Sequence, residues 1–193
     1  MTPRAAVFPI EPPVEPMLAK AAGTIPETGD FLFEPKWDGF RAIVFRGATD
    51  LYIQSRDLKP LDRYFPDVHD ILLDQLPKGC VIDGEIVIAT SDGLDFGLLQ
   101  MRLHPAASRV AKLAQATPAS FVAFDVLAAK GKSTMDLPQV DRRALLEKLL
   151  SGARPPLHVT PMTNDRRLAA QWLDQFEGAG LDGVVDKPAG GAY

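Results

Sequence analysis

Cysteine is almost missing from this chain: Cys80 is the only one in 193 residues. No internal disulfide can form, which sets aside the small disulfide-stapled scaffolds and makes a cytoplasmic setting the expectation. Histidine is scarce too. His69, His104 and His158 stand far apart, without the spacing of metal ligands or of a catalytic relay. No apolar run is long enough to span a bilayer, and Met1 to Lys20 carries Arg4 but no apolar stretch of the signal-peptide kind. Positive charge is not in excess either: 21 Lys and Arg face 25 Asp and Glu, a net charge of −4. That sign weighs against this chain alone gripping nucleic acid tightly, since phosphate contacts need clustered Lys and Arg, and leaves a local basic face as the alternative.

What remains is ordinary globular material, 46% hydrophobic and 24% charged, enough for one domain with a real core or for two small ones. Residues 1–30 hold Pro3, Pro9, Pro12, Pro13, Pro16 and Pro26, and read as an extended lead-in. Residues 31–56 read as a strand, a turn carrying charged residues, a second strand and a hairpin at Gly47-Ala48-Thr49-Asp50. Phe65, Val68, Ile71, Leu72 and Leu76 recur at helical spacing, with Pro66 tolerable only in the first turn. Helices are also expected over 94–103, 106–116 and 138–150. A further one, capped by Asn164 or Asp165, should run to Phe176, with Leu168, Ala169, Trp172 and Phe176 on one face and Gly178 and Gly180 ending it.

The charged turn is the centre of interest. Glu34-Pro35-Lys36-Trp37-Asp38-Gly39-Phe40-Arg41 precedes the apolar run Ala42-Ile43-Val44-Phe45. A lysine becomes a nucleophile when desolvation or a neighbouring cation favours its neutral form, and Arg41 is a candidate neighbour. The same residues also fit a strand edge with a surface Lys–Asp pair. Cys80 to Ala89 reads as a strand whose alternation puts Ile82, Ile86 and Ile88 on one face and Asp83 with Glu85 on the other. Carboxylates on so apolar a strand suit ribose hydroxyls or a hydrated metal, or else mark an exposed edge. Ala119 to Ala128 is another strand, in which Phe124 offers either a stacking face or core packing and Asp125 is an acid in need of a partner. Arg102 and Arg109 are candidate phosphate contacts, with solvated helix faces the plainer reading. In Leu181-Asp182-Gly183-Val184-Val185-Asp186-Lys187, alternation places Asp182 and Asp186 on one face.

Taken in order, these stretches resemble the covalent nucleotidyltransferases. Lys36-x-Asp38-Gly39-x-Arg41 is similar to their first motif, Asp83-Gly84-Glu85 to the third, Phe124-Asp125 to the adenine-stacking element, and Asp182-Gly183-Val184-Val185-x-Lys187 to the fourth. Pro16-Met17-Leu18-Ala19-Lys20, Ser55-Arg56 and Phe65-Pro66-Asp67 resemble elements of bacterial ATP-dependent DNA ligases in particular. The resemblance runs from about residue 16 to Tyr193. One departure is Asp182, where DNA ligases usually carry glutamate.

The resemblance implies an α+β nucleotidyltransferase (adenylation) domain over 16–193, with antiparallel sheets flanked by helices and ATP in the cleft between them, after a lead-in over 1–15. It implies Lys36 as the nucleophile that forms a lysine–AMP bond. Glu34 would face the adenine amino group and Phe124 would stack on the ring. Arg41 and Glu85 would contact the ribose, Arg56 would hold phosphate, Lys187 would lie near the phosphates, and Asp38 would orient the lysine loop. Asp182 would help bind Mg²⁺. The partner would be nicked duplex DNA, and the chain a monomer. The family also uses a fifth motif and an OB-type barrel, neither of which lies within these residues, so nick sealing is not expected of this chain alone. The alternatives left open are a non-catalytic nucleotide- or DNA-binding remnant, and an RNA-ligase or capping-type enzyme.

Overall fold

The computed structural model describes residues 7–176 and 181–193. Ten strands and five α-helices follow one another among these residues. Strands β1 (Phe31–Trp37), β2 (Phe40–Arg46) and β3 (Leu51–Ser55) lead through a 3₁₀ turn at Asp62–Tyr64 to α1 (Pro66–Gln75). Then come β4 (Cys80–Val87), the short hairpin β5 (Ala89–Thr90) and β6 (Gly93–Leu94), and helices α2 (Phe96–Arg102) and α3 (Ala107–Ala116). The chain continues through β7 (Ser120–Ala129), β8 (Lys132–Ser133), α4 (Gln139–Leu149), β9 (Leu157–Val159), α5 (Arg166–Phe176) and β10 (Leu181–Pro188).

The main sheet has the order β3-β2-β4-β7-β8, antiparallel throughout, with β9 added parallel to β7. A separate antiparallel ribbon joins β1 to β10. The expected mixed fold is therefore present. Strand β4 lies between β2 and β7, which removes the exposed-edge reading of its acids. Alternation along β4 sends Ile82 and Ile86 into the larger core beneath α1, with Val44, Ile53, Leu72 and Phe121. Val81 faces the other way, into a smaller cluster closed by Val14, Phe45 and Leu127. Asp83 and Glu85 share that second face beyond the apolar cluster, where the sheet looks toward the β1–β10 ribbon.

Two glycines allow the strands to close up. A Cβ on Gly84 would press on the Phe121 ring and come within 2.5 Å of the Val122 carbonyl oxygen. A Cβ on Gly39 would run into the carbonyl oxygen of Ile86. Strand β4 thus approaches the chain closely at Gly39. Helix α1 starts with Pro66 at its first position, as its missing N–H requires.

Two expectations need correction. Arg102 is not on a solvated face and touches no ligand space: it is wholly buried. Its guanidinium is fixed by Asp67, with further bonds to the carbonyls of Tyr64 at 3.2 Å and Thr117 at 3.3 Å, and it lies over the Phe65 ring. A buried guanidinium must be matched this fully, because an unmatched one is too costly to desolvate. Arg109 is exposed, as its plainer reading had it. On α5, Ala169 is buried but Leu168 is 37% exposed, so the inward face is narrower than the spacing suggested. Asp165 caps that helix through the Arg167 N–H. The ends expected at Gly178 and Gly180, and the side chain of Phe176, lie outside the described residues.

Candidate active site

The nine site residues that the resemblance implies line a single cleft of about 580 Å³ between the main sheet and the β1–β10 ribbon, while Arg102 and Arg109 lie outside it. Its floor is built from acids that face each other across strands. Asp83 on β4 stands opposite Asp125 on β7, an arrangement that like charges alone would make unfavourable. Each has its own arginine. Arg41, one step diagonally away on β2, donates to both oxygens of Asp83 at 2.7 and 2.6 Å. Arg142 from α4 donates to both oxygens of Asp125 at 2.9 and 3.1 Å. These are planar two-point pairs that lysine could not make. Tyr193 adds a hydrogen bond from its hydroxyl to Asp83 at 2.7 Å.

The ribbon supplies the wall. Glu34 on β1 is only 2% exposed and accepts from Lys187 on β10 at 2.8 Å and from Arg143 at 3.4 Å. Burial nonetheless pushes its carboxyl above the usual range, with the two cations pulling the other way. Lys187 also donates to the Phe124 carbonyl at 3.1 Å, so the structure places it at the aromatic end of the cleft. Phe124 itself is half-buried. Arg41 stands 4.8 Å and Lys187 4.9 Å from its ring centroid. A base stacking there would share the ring with cations or displace one.

The rim carries the lysine. Lys36 lies on β1 itself and not in the turn expected over the charged stretch, because pairing with β10 carries the strand through Trp37. The register slips at this point: Pro35 pairs with Val184 but Trp37 with Leu181, so Asp182 and Gly183 together oppose Lys36. Gly183 has φ +131°, which glycine tolerates and other residues rarely do. This bulge turns Asp182 onto Lys36, and the two form an ion pair with side chains 46% and 49% exposed. Asp38 sits close enough that burial and then the Asp182 charge raise its pKa. Glu85 lies between rim and floor. Burial pushes its carboxyl up to about 8, against the pull of Arg41. Arg56 is exposed at the edge of the cleft.

The sequence profile of the ATP dependent DNA ligase domain matches residues 16–193. The chain belongs to that family. DNA ligase C2 of Mycolicibacterium smegmatis is 51% identical over 181 residues, which cover 94% of this chain and 51% of that protein. DNA ligase C of Mycobacterium tuberculosis is 50% identical over 185 residues, with the same two coverages. Among solved structures, a mycobacterial DNA ligase D complexed with ATP and MES superposes with a TM-score of 0.68 at 27% identity, covering 90% of this chain and 54% of that one. The chain spans about half the length of the curated relatives it matches.

Seen as a ligase-family cleft, the site holds groups that the motifs alone did not single out. Asp83 rather than Glu85 is the hydrogen-bond partner of Arg41, although Glu85 stands directly opposite it; alternation puts both acids on one face and does not choose between them. Arg142 and Arg143 read as ordinary helix charges, and nothing local marks them as the clamps on Asp125 and Glu34. Tyr193, which also lines the cleft, carries no chemical signal of its own, whereas Met17–Lys20 belongs to a stretch that already carried the resemblance.

Proposed function

We propose that this chain is the adenylation portion of an ATP-dependent DNA ligase, with residues 16–193 as the nucleotide-binding domain and 1–15 as a lead-in. The carrying observation is the half-exposed Lys36, held at the rim of a cleft whose far end contains Phe124 and Glu34. The ATP found in the related mycobacterial ligase D supports the choice of nucleotide.

In this reading the adenine lies against Phe124, with Glu34 and Lys187 at its edge. Arg41 and Glu85 meet the ribose, and Arg56 meets phosphate. Lys36 leaves Asp182 and gives its ammonium proton to water; the neutral amine attacks the α-phosphorus, a phosphoramidate bond forms as the bond to pyrophosphate breaks, and the second N–H proton passes to solvent. An ion pair this exposed is worth roughly 0–1 kcal/mol, so separating Lys36 from Asp182 costs little. In the complete ligase the AMP then passes to the 5′-phosphate of a nick in duplex DNA, and a 3′-hydroxyl displaces it. The cytoplasm is the fitting location for that work.

Among the described residues, no group of three or more His, Cys, Asp or Glu side chains forms a ready metal cage. Mg²⁺ is commonly held by one or two carboxylates together with substrate phosphates. Asp182 and Asp38, close enough to raise the latter's pKa, fit that donor set. The ion, when bound, would neutralise charge on the departing pyrophosphate.

The test is mass spectrometry of the purified chain after incubation with ATP and Mg²⁺, beside Lys36→Ala. An AMP adduct on the wild type alone is the expected result. ATP binding without an adduct would show a pocket that needs further segments for chemistry. Loss of both would favour the non-catalytic remnant.

A further inference from the structure

The segment Val14–Lys20 is a strap laid across one side of the cleft, and it is tied down at two points. At its start, the buried Gln54 side chain accepts from the Val14 N–H at 2.9 Å and donates to the Val14 carbonyl at 2.6 Å, while the Val14 side chain fills the smaller core. Three residues later, the Met17 N–H donates to the Tyr193 hydroxyl at 3.2 Å. Between and beyond these ties the strap has little to hold it: Met17 is 46% and Leu18 is 56% exposed. Yet Met17, Leu18 and Lys20 all face the cleft.

Tyr193 is therefore a junction. Its hydroxyl accepts from the strap and donates at 2.7 Å to Asp83, the same carboxylate that fixes Arg41 beside Phe124. A phenol has one proton to give, and here it goes to the buried acid. A bond to a charged acceptor in a desolvated place is a strong one. Burial and the adjacent Asp83 charge both raise the Tyr193 pKa, so the hydroxyl keeps that proton. The ring is held independently: it packs on the smaller core, with Arg142 at 5.8 Å from its centroid.

We propose that Tyr193 is a positioning residue that sets nucleotide affinity, by tying the 14–20 strap to the Asp83–Arg41 pair so that strap and floor of the cleft close on ATP together. The proposal rests on the nucleotide reading above and adds a residue and a moving part to it. ATP that contacts both strap and Arg41 tightens the junction, and a tight junction presents both to ATP. A single hydroxyl carries the coupling, since Asp83 keeps its arginine and the ring keeps its packing when the oxygen is removed.

The experiment compares wild type, Tyr193→Phe and Gln54→Ala. Trypsin cleavage after Lys20 reports the strap without any nucleotide, ATP titration reports affinity, and a thermal melt checks the fold. Gln54 does not line the cleft, so an effect of its removal on ATP must pass through the strap. The expected result is cleavage several-fold faster in both variants and about tenfold weaker ATP binding, with Tyr193→Phe melting close to wild type. Where labelling of Lys36 is measurable, its half-saturating ATP concentration should rise while the maximal rate holds. Unchanged cleavage in Tyr193→Phe would overturn the tie. Faster cleavage with unchanged ATP affinity would overturn the coupling, and so would a fall in maximal rate and melting temperature at constant affinity. Failure of the wild type itself to bind ATP would sink the nucleotide reading instead, a result the trypsin arm cannot imitate.

Discussion

The floor and the rim of the cleft use the same chemistry, a cation against a carboxylate, in opposite ways. On the floor, Arg41 meets an Asp83 with no exposed surface, and Arg142, itself fully buried, meets Asp125. At the rim, Lys36 meets Asp182 with about half of each side chain in water. A buried pair resists separation because either partner left alone would be a desolvated charge. An exposed pair separates cheaply because water replaces the lost contact. The difference assigns fixed geometry to the residues that would shape the nucleotide's place, and freedom to the amine that, in the proposed reaction, would leave its partner.

Removing the floor should be the most damaging change. Asp83→Ala strands Arg41 against the sheet and takes away the Tyr193 hydroxyl's acceptor. Urea unfolding should show a loss of about 3–5 kcal/mol, and a loss under 1 kcal/mol would mean that floor and rim do not differ as described. Next comes the glycine between the acids. Gly84→Ala forces a methyl group against Phe121 and the Val122 carbonyl, which should cost about 1–3 kcal/mol by the same measurement.

Glu85 lies between the two regimes, and pH separates them. Its folded-state pKa of about 8 stands above the ordinary 4.5 because burial disfavours the charge. The folded protein therefore holds this proton more tightly than the unfolded chain does. The resulting stability is fully present below the unfolded value and is lost as the pH rises through 8. Glu85→Gln, which cannot ionise, should melt near wild type at pH 5 and several degrees higher at pH 9. Parallel melting curves across that range would show that Glu85 behaves as a rim residue.

Much of this arrangement was visible in the chain. The alternation over Cys80 to Ala89 put both acids on one face, and Pro66 marked the start of α1, because side-chain periodicity and a missing N–H are local facts. The cleft gathers residues from five strands and from loops and helices between them, and the order of short motifs was enough to name nine of them. Pairing was not visible. Arg102 finds Asp67 from 35 residues away, and Arg143 finds Glu34 across 109; no local pattern distinguishes such a residue from a solvated one. The bulge that turns Asp182 onto Lys36 depends on how β10 registers with β1, which two apolar strands do not reveal until they are paired. Tyr193 drew no notice for the same reason: its partners are at positions 17 and 83.

The smallest expected effect is on stability at the rim, and it tests the comparison from its other side. Asp182 is 49% exposed and holds one equally exposed lysine. Asp182→Ala removes that pair, and also a charge that raises the pKa of Asp38, so relief of repulsion offsets part of what the lost contact gave. Unfolding free energy should change by no more than about 0.5 kcal/mol. ATP-dependent labelling of Lys36 should nevertheless fall steeply, because the donor set for the cation loses a carboxylate and the lysine loses the group that parks it at the mouth of the cleft. A variant as stable as wild type and unable to label would place Asp182 in the chemistry and outside the scaffold. A variant destabilised as much as Asp83→Ala would show that the rim pair is built into the fold, and that Lys36 is less free to leave it than its exposure indicates.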